Sequence, residues 1–322
     1  MVGVRISVLV AALVAALLAT PAPASADAYI ANKTVTDARH WTLEVYSPSM
    51  NRTVPVQVQL AARRHSPVLY LLNGAGGGED KATWAQNTDV DDFLADKDVN
   101  VVTPIGGAFT YYADWVSPDP KLGVNKWQTF LSKELPPLLD AALGTSGRNA
   151  VAGISTSGTA VLNLVIHNAG RYQAAAAYSG CAQTADPFGR QAIDLVLSRG
   201  GGTIDNMYGP PDDPRWAAND PYLHADKLRG TALYLSTGSG FPGLHDRPGD
   251  PFIVPGNTIE NQIVVGGIIE AATNFCTHNL RTQLDRLGIP ATYNFRPGTH
   301  SWGYWQEDFK ASWPVLAGAI GA

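Results

Sequence analysis

Ser155 is the residue whose type and neighbours first suggest covalent chemistry in this sequence. It lies in the stretch VAGISTSGTA, residues 151–160, where an apolar run ends and a helical pattern begins. Serine hydrolases place their nucleophile on a sharp turn between a strand and a helix, between small residues as in G-x-S-x-G. Gly153 matches the first glycine, but Ser157 takes the second position and Gly158 follows it. The motif is incomplete, so the serine could be a nucleophile or part of a structural turn.

A serine hydroxyl becomes nucleophilic when a histidine accepts its proton and a carboxylate orients that histidine. In hydrolases whose nucleophile lies on such a turn between a strand and a helix, the acid and then the histidine follow the serine along the chain. We expect His300 to be the base, because it lies in the turn GTHSW just past the last predicted strand, ATYNF at residues 291–295. For the acid, spacing alone favours Asp246, in a loop after a predicted strand, over Glu270 at a helix start. Asp285 is the third choice.

The glycine-rich stretch NGAGGG, residues 73–78, could provide electrostatic stabilisation for the same reaction. Attack on a carbonyl requires two backbone N–H groups aimed at the oxygen that becomes negative. Thr156, directly after the serine, would supply one of them and Ala75 the other. A dinucleotide-binding loop is the competing interpretation, and it fails because Glu79 stands where the third glycine should be.

An alternation of strands and helices would bring these residues together. Short apolar runs closed by Gly, Ser or Thr predict strands buried on both faces, at 66–74, 98–107, 147–155, 172–180 and 230–238. Helical patterns fall between them at 82–97, 126–143 and 156–170, and the stretches 39–50 and 52–62 predict an antiparallel edge. The sequence therefore predicts an α/β fold with a mostly parallel central sheet and helices on both faces. Ligands of such folds bind beyond the carboxyl ends of the strands.

The first 26 residues have the pattern of a secretory signal peptide, cleaved before Asp27. They combine one positive charge near the start, at Arg5, an apolar core and a cleavage site of small residues, Ala-Ser-Ala. The apolar core is shorter than the roughly 20 residues that a membrane-spanning helix needs. We therefore expect residues 1–26 to be removed, residues 27–322 to form a single catalytic domain, and no transmembrane segment to remain.

Charge and cysteine content restrict the possible partners. The formal net charge is −5 and basic residues form no long run, which argues against nucleic acid as a partner. Cys181 and Cys276 are the only cysteines, and an even number in an exported protein favours one disulfide. Neither cysteine has neighbours typical of metal ligands, so we expect no metal site.

Several stretches, taken in order, resemble the antigen 85 family, the secreted mycolyltransferases of mycobacteria. They extend from about residue 40 to the C-terminus and read LYLLNG, NVVTPIGGAFTYYADW, KWQTFLSKELP, AGISTSGTAVLNL, MYGPPDDPRWAANDP and FRPGTHSWGYW. The resemblance implies an α/β-hydrolase fold and a source among actinobacteria that contain mycolic acids. It also implies transfer of long mycolic acyl chains between trehalose glycolipids and the cell wall by a Ser, Glu, His triad.

The resemblance reverses the order of the two acids. The family serine lies in Gly-x-Ser-x-x-Gly, which fits the glycines around Ser155, and its histidine lies in Thr-His-Ser-Trp, which fits His300. The family glutamate opens a helix about thirty residues before the histidine, and Glu270 is the residue that fits. Glu270 is thus expected first and Asp246 second.

The family also indicates where substrate would bind, and here the sequence departs from it. We expect Asn73, Gly74 and Trp302 to contact substrate. In the mycobacterial enzymes the loop after the LYLL strand holds trehalose with an Asp and an Arg, whose equivalents are Asn73 and Gly76. Because both charged groups are missing, the charge-assisted hydrogen bonds that they make to sugar are lost. The resemblance therefore supports acyl transfer better than it supports trehalose as the acceptor.

The resulting hypothesis is a secreted, envelope-associated acyltransferase that works without a cofactor. Its partners would be an acyl glycolipid donor and a sugar or cell-wall acceptor, and the protein is expected to be a monomer. A carboxylesterase or lipase-like hydrolase is the close alternative, since water can replace the sugar. A non-catalytic envelope-binding protein is the alternative from a different class.

Overall fold

The computed structural model describes residues 27–254 and 256–322, so the predicted signal peptide lies outside the described residues. One nine-stranded sheet forms its centre, with the strands in the order β1-β2-β3-β5-β4-β6-β7-β8-β9. The strands are β1 Tyr29–Val35, β2 His40–Ser47, β3 Arg52–Gln59, β4 Val68–Leu72, β5 Asn100–Pro104, β6 Asn149–Ile154, β7 Ala174–Tyr178, β8 Ala232–Gly238 and β9 Thr292–Arg296. The first three form an antiparallel edge, and the remaining six are parallel.

Helices cover both faces of this sheet. They are α1 Trp84–Asn87, α2 Val90–Leu94, α3 Trp127–Thr129, α4 Leu135–Leu143, α5 Thr156–His167, α6 Pro187–Arg199, α7 Asp205–Tyr208, α8 Pro214–Ala218, α9 Ile259–Asn261, α10 Gly267–Leu287 and α11 Trp302–Ile320. A π-helical turn at Phe130–Glu134 joins α3 to α4, a second at Gln262–Gly266 joins α9 to α10, and a 3-10 turn covers Ala225–Leu228. The predicted fold class, a mostly parallel sheet with helices on both faces, is confirmed.

The sheet separates two apolar layers, because successive side chains of a strand point to opposite faces. In β4, Val68 and Tyr70 pack with α4, α5 and the C-terminal half of α10, whereas Leu69 and Leu71 pack with α1, α2 and α11. Every residue of β4, β6 and β7 is buried, which explains why the sequence shows continuous apolar runs there instead of alternation.

The carboxyl ends of the parallel strands meet at one edge of the sheet. Residues 73–78 follow β4, Ser155 follows β6, Ser179 follows β7, Gly238 ends β8, and His300 lies in the turn after β9. Chemistry-bearing residues that are far apart in the sequence therefore converge at this edge. Within the described part of the chain, no helix is both long and apolar enough to cross a bilayer.

Candidate active site

Ser155 occupies a tight turn between β6 and α5. Its backbone has φ 57° and ψ −122°, a conformation that L-residues rarely adopt. The turn requires small neighbours, because a Cβ on Gly153 would lie 2.5 Å from Ser157 Oγ, and one on Gly158 would lie 2.9 Å from Gly180 Cα. The second glycine of the motif is thus displaced by one residue because position 158 is where α5 approaches the end of β7.

His300 connects the serine to a carboxylate. Its Nε2 lies 2.9 Å from Ser155 Oγ, and its Nδ1 lies 2.7 Å from Glu270 Oε2. The backbone N–H of His300 donates to the Gly266 carbonyl at 3.2 Å, and the ring meets Trp305 edge to face at a centroid distance of 4.8 Å. The three side chains therefore form the serine, histidine and carboxylate relay that nucleophilic acyl transfer requires.

Glu270, in the first turn of α10, is completely buried and fully hydrogen-bonded. Its Oε1 accepts from Ser179 Oγ at 2.7 Å, from Gly238 N at 2.5 Å and from Thr237 Oγ1 at 3.1 Å. Trp305 Nε1 donates in turn to Ser179 Oγ at 3.0 Å. These donors compensate the burial of a carboxylate and leave Oε2 to face the histidine. The only signal of these donors in the sequence is that each lies at the end of a predicted strand, directly after one, or near the start of the last helix.

The structure places Asp246 and Asp285 away from His300. Asp246 accepts hydrogen bonds from Thr299 Oγ1, Gln262 Nε2, Tyr304 Oη and the Gly243 backbone. Burial alone would raise the pKa of Asp246, but these hydrogen bonds hold the pKa below its ordinary value. Asp285 is exposed on α10 and lies 3.8 Å from Arg281. Asp246 thus supports the loop that carries His300 without contacting its ring.

A cavity of about 550 Å³ opens beside Ser155. Ala75 and Thr156, the two expected oxyanion donors, line it together with Gly74 and Trp302. The Ala75 carbonyl accepts from Phe109 N at 2.6 Å, which fixes the loop that carries it. A Cβ on Gly74 would lie 3.8 Å from Ser155 Cβ, so this glycine brings the loop close to the serine.

Asn73 and Gly76 have surroundings that the sequence did not indicate. Asn73 is completely buried and does not line the cavity, because its Oδ1 accepts from the Trp84 backbone N–H at 3.2 Å, at the start of α1. First-turn N–H groups of a helix need such acceptors. Beside Gly76 stands the carboxylate of Asp80, whose Oδ2 would lie 2.0 Å from a Cβ at position 76. Asp80 also lines the cavity, although no motif in the sequence marks it.

Apolar residues of α6 and α10 form the opposite, larger part of the cavity wall. They include Phe188, Ala192, Leu195 and Val196 of α6 and Ile268, Ile269 and Ala272 of α10, joined by Phe109 and Tyr111 from the loop after β5. Several are exposed to solvent to an unusual degree, with Leu195 at 68% and Ile268 at 69%. We call the space between these two helices the α6/α10 groove. Exposed, contiguous apolar surface of this kind marks a binding site for apolar ligands.

Cys181 and Cys276 form a disulfide, as the sequence predicts. Their Cα atoms lie 5.0 Å apart, and the bond joins the segment after β7 to α10. Ser179 and Glu270 lie on the same two segments. The disulfide and the Ser179–Glu270 hydrogen bond therefore both hold the segment after β7 against α10. Both cysteines also line the cavity.

Comparison with known proteins shows the family to which the chain belongs. The Esterase family model matches residues 47–316. Two proteins named diacylglycerol acyltransferase/mycolyltransferase are 33% identical to the chain. They are Ag85B of Mycobacterium avium, with 87% of this chain and 83% of that protein aligned, and Ag85A of Mycobacterium tuberculosis, with 87% and 81% aligned.

Solved structures show the same fold. Mycobacterium tuberculosis MPT51 (FbpC1) superposes with a TM-score of 0.71 at 26% identity, covering 88% of this chain and all of that one. The fluorophosphonate-binding serine hydrolase FphF of Staphylococcus aureus superposes with a TM-score of 0.62 at 17% identity, covering 86% of this chain and 98% of that one. The sheet and helices have the α/β-hydrolase arrangement of these proteins. The chain therefore belongs to the Esterase family and, with its Ag85 relatives, to the antigen 85 mycolyltransferase family.

Proposed function

We propose that this protein is a serine acyltransferase that moves a long acyl chain from a glycolipid ester to a sugar or cell-wall hydroxyl. One observation carries the proposal, namely the alignment of Ser155, His300 and Glu270 beside an apolar groove. The names of the Ag85A and Ag85B relatives support acyl transfer, and the mycolic chain is the acyl group that those names indicate. The reaction needs no metal or organic cofactor, because the nucleophile, base and oxyanion donors are all protein groups.

In the first half-reaction, Ser155 Oγ attacks the ester carbonyl and His300 Nε2 takes the hydroxyl proton. Glu270 holds the Nδ1–H of the ring, which keeps Nε2 unprotonated and facing the serine and stabilises the imidazolium that forms. The backbone N–H groups of Ala75 and Thr156 donate to the oxygen that becomes negative. The alcohol then leaves with the proton from His300, and the acyl group remains on the serine.

In the second half-reaction, the acceptor hydroxyl gives its proton to His300 and attacks the acyl carbon. The bond between Ser155 Oγ and the acyl carbon breaks, and the serine recovers the proton. Water can replace the acceptor in this step, so hydrolysis is the alternative outcome of the same chemistry. Which product forms depends on how well the site binds a sugar.

The acyl chain would lie in the α6/α10 groove. Its exposed leucine, isoleucine and phenylalanine side chains carry no charge and would be covered by a hydrocarbon chain. Each methylene removed from water contributes about 0.8 kcal/mol. A long chain would therefore bind far more tightly than acetate, in keeping with a lipid donor.

We further propose that residues 1–26 direct export and that residues 27–322 act as a single, monomeric domain at the cell envelope. The pattern of the first 26 residues and the Cys181–Cys276 disulfide both support an extracellular location.

Intact mass spectrometry with an acyl donor tests the proposal. Chain 27–322, incubated with p-nitrophenyl octanoate, should gain one octanoyl group that peptide mapping places on Ser155. Ser155→Ala should abolish the adduct, and His300→Ala should slow its formation by several orders of magnitude, because triad members act as a unit. Ser198→Ala, on an exposed part of α6 outside the cavity, is the matched control and should behave as the unmodified chain. An unmodified Ser155 after prolonged incubation would instead favour a non-catalytic binding protein.

A further inference from the structure

The polar part of the cavity wall contains a carboxylate in place of the sugar-binding pair that the sequence lacks. Residues 74–82 supply Gly74, Ala75, Gly76, Asp80 and Ala82 to the cavity beside Ser155. Apart from the triad, Asp80 and Arg199 are the charged residues among those that line this cavity. Arg199 ends α6, whereas Asp80 belongs to the loop that carries the proposed oxyanion donor.

One oxygen of Asp80 is engaged and the other is available. Oδ1 accepts from the Ala82 backbone N–H at 2.9 Å, which fixes the direction of the side chain. Within the described residues, Oδ2 has no hydrogen-bond donor and Asp80 forms no ion pair. Asp80 is also exposed at the cavity. A carboxylate oxygen held in place but unpaired can accept a hydrogen bond from a ligand.

The lack of a side chain at Gly76 leaves the space in which the Asp80 carboxylate lies. The Asp80 carboxylate occupies the space next to the Gly76 Cα, since a Cβ there would lie only 2.0 Å from Oδ2 and 2.6 Å from Oδ1. Gly76 directly follows Ala75, and Gly74 on the other side approaches Ser155. The absence of a side chain at position 76 therefore leaves room for a carboxylate from four residues later, two residues beyond the glycine that approaches Ser155 and on the wall of the same cavity.

We infer that Asp80 selects the acceptor by accepting a hydrogen bond from a hydroxyl of a neutral sugar, with Gly76 leaving the space that this carboxylate needs. The inference rests on the proposed acyl transfer. A sugar has neighbouring hydroxyls, so one can bind Asp80 Oδ2 while another attacks the acyl carbon. Anchoring one hydroxyl raises the effective concentration of the other, an advantage that water does not have.

The chemistry of the step is the second half-reaction already described. The attacking hydroxyl oxygen forms a bond to the acyl carbon, the bond to Ser155 Oγ breaks, and the hydroxyl proton passes through His300 to the serine. Asp80 takes no proton in this step. It acts on the position of the acceptor, so its removal should affect the partition of the acyl-enzyme more than the formation of the acyl-enzyme.

The test measures two rates from one donor. With p-nitrophenyl octanoate, the pre-steady-state burst of nitrophenol reports acylation, and the ratio of octanoyl-sugar to free octanoate reports partition, with trehalose, glucose or ethanol as the acceptor. Asp80→Ala should lower the sugar partition about 10-fold relative to any change in acylation, the cost of losing one hydrogen bond to a charged group. Ethanol partition should change little, because ethanol has no second hydroxyl to anchor.

Gly76→Ala provides an independent route to the same result. Its Cβ would push the Asp80 carboxylate aside, so it should lower sugar partition as Asp80→Ala does, and the double variant should lose no more than Asp80→Ala alone. The controls are Asp212→Ala, an exposed aspartate outside the cavity, and Gly318→Ala, where a Cβ meets nothing within 4 Å. Thermal unfolding of every variant identifies any loss of folding.

The outcomes separate this inference from the proposed function. If no acyl-enzyme forms in the unmodified chain, the proposed function itself fails and the inference with it. An acyl-enzyme that forms normally but passes to sugar equally well with and without Asp80 would overturn the inference alone. The same holds if Asp80→Ala lowers acylation and partition equally, or if the unmodified chain transfers to ethanol as readily as to trehalose at equal hydroxyl concentration.

Discussion

At the scale of single residues, the serine turn combines reactivity with backbone strain. A non-glycine residue in the conformation of Ser155 costs about 1–3 kcal/mol, which the surrounding structure must supply. Part of that support comes from Ser157, whose completely buried Oγ lies 2.9 Å from the Ile154 carbonyl and 3.2 Å from the Leu72 carbonyl, two acceptors that share its single proton. The serine at the position of the usual second glycine therefore ties the turn to the neighbouring strand.

The same scale shows which site residues a sequence can reveal. Ser155 and His300 are predictable because each is surrounded by local turn residues with a recognisable pattern. Glu270 is not predictable from spacing, which favoured Asp246. Glu270 faces the Nδ1 of the histidine, whereas Asp246 faces the hydroxyl of Thr299, the residue before it. Asn73 looked accessible in a glycine-rich loop, but the N–H groups at the start of α1 draw its side chain inward.

The two acids lead to a prediction about their relative importance. Glu270→Gln should lower kcat by about 10³- to 10⁴-fold, because an amide no longer fixes the imidazole or stabilises its positive charge. Asp246→Asn should lower kcat by less than about 10-fold, because it weakens only the support of the His300 loop through Thr299. Steady-state hydrolysis of p-nitrophenyl octanoate by the two variants measures both effects. A larger loss in Asp246→Asn than in Glu270→Gln would instead identify Asp246 as the catalytic acid.

At the scale of elements, α10 carries the proposed catalytic carboxylate and is fixed at several points. Glu270 accepts from Ser179, directly after β7, and from Gly238 of β8, and Cys276 lies six residues later on the same helix, bonded to Cys181. The pairing of these cysteines was predictable because there are only two. The π-helical turn at Gln262–Gly266 that precedes α10 has no sequence signal of the kind that caps and glycines provide.

Other elements show where local patterns mislead. The stretch 82–97 has a helical pattern throughout, yet the chain is extended at Thr88 and forms two short helices, α1 and α2. Strand β1 was not predicted, since its sequence YIANKTV alternates poorly and most of its residues are exposed at the edge of the sheet. Interior strands were predicted well because burial on both faces imposes a strong apolar run.

The disulfide should contribute to stability and to the position of Glu270. It closes a loop with a sequence separation of 95 residues, for which chain entropy gives a stabilisation of about 4.7 kcal/mol. Cys181→Ser with Cys276→Ser should lower the free energy of unfolding by about that amount, and kcat should fall as α10 loses its attachment to the end of β7. Urea unfolding and ester hydrolysis measure the two effects. Thiol titration of the unreduced, denatured protein should find no free thiol, and two titratable thiols would contradict the pairing.

At the scale of the whole molecule, the substrate site is assembled from segments that are distant in the sequence. The α6/α10 groove needs α6, the first half of α10 and the loop after β5, which the fold brings to one edge of the sheet. Neither α6 as an element nor α10 as a wall of the site was predicted from the sequence. Their solvent-facing apolar residues resemble ordinary amphipathic positions until the two helices are seen to face each other across the serine.

The groove also leads to a prediction about acyl chain length. Ala272 lines the groove from α10, and Ala272→Phe would fill part of the space between the two helices. A ring in the space that the decanoyl chain would occupy should raise the free energy of the bound transition state by about 1–3 kcal/mol. Turnover of p-nitrophenyl decanoate should therefore fall about 10-fold or more. Turnover of p-nitrophenyl acetate should change little, because a two-carbon acyl group does not extend into the groove.

Ala311→Phe, on an exposed part of α11 outside the cavity, is the matched control for the introduced ring. Equal losses for both esters in Ala272→Phe would mean that the ring disturbs the triad instead. Unchanged turnover of the decanoate would place the acyl chain outside the groove.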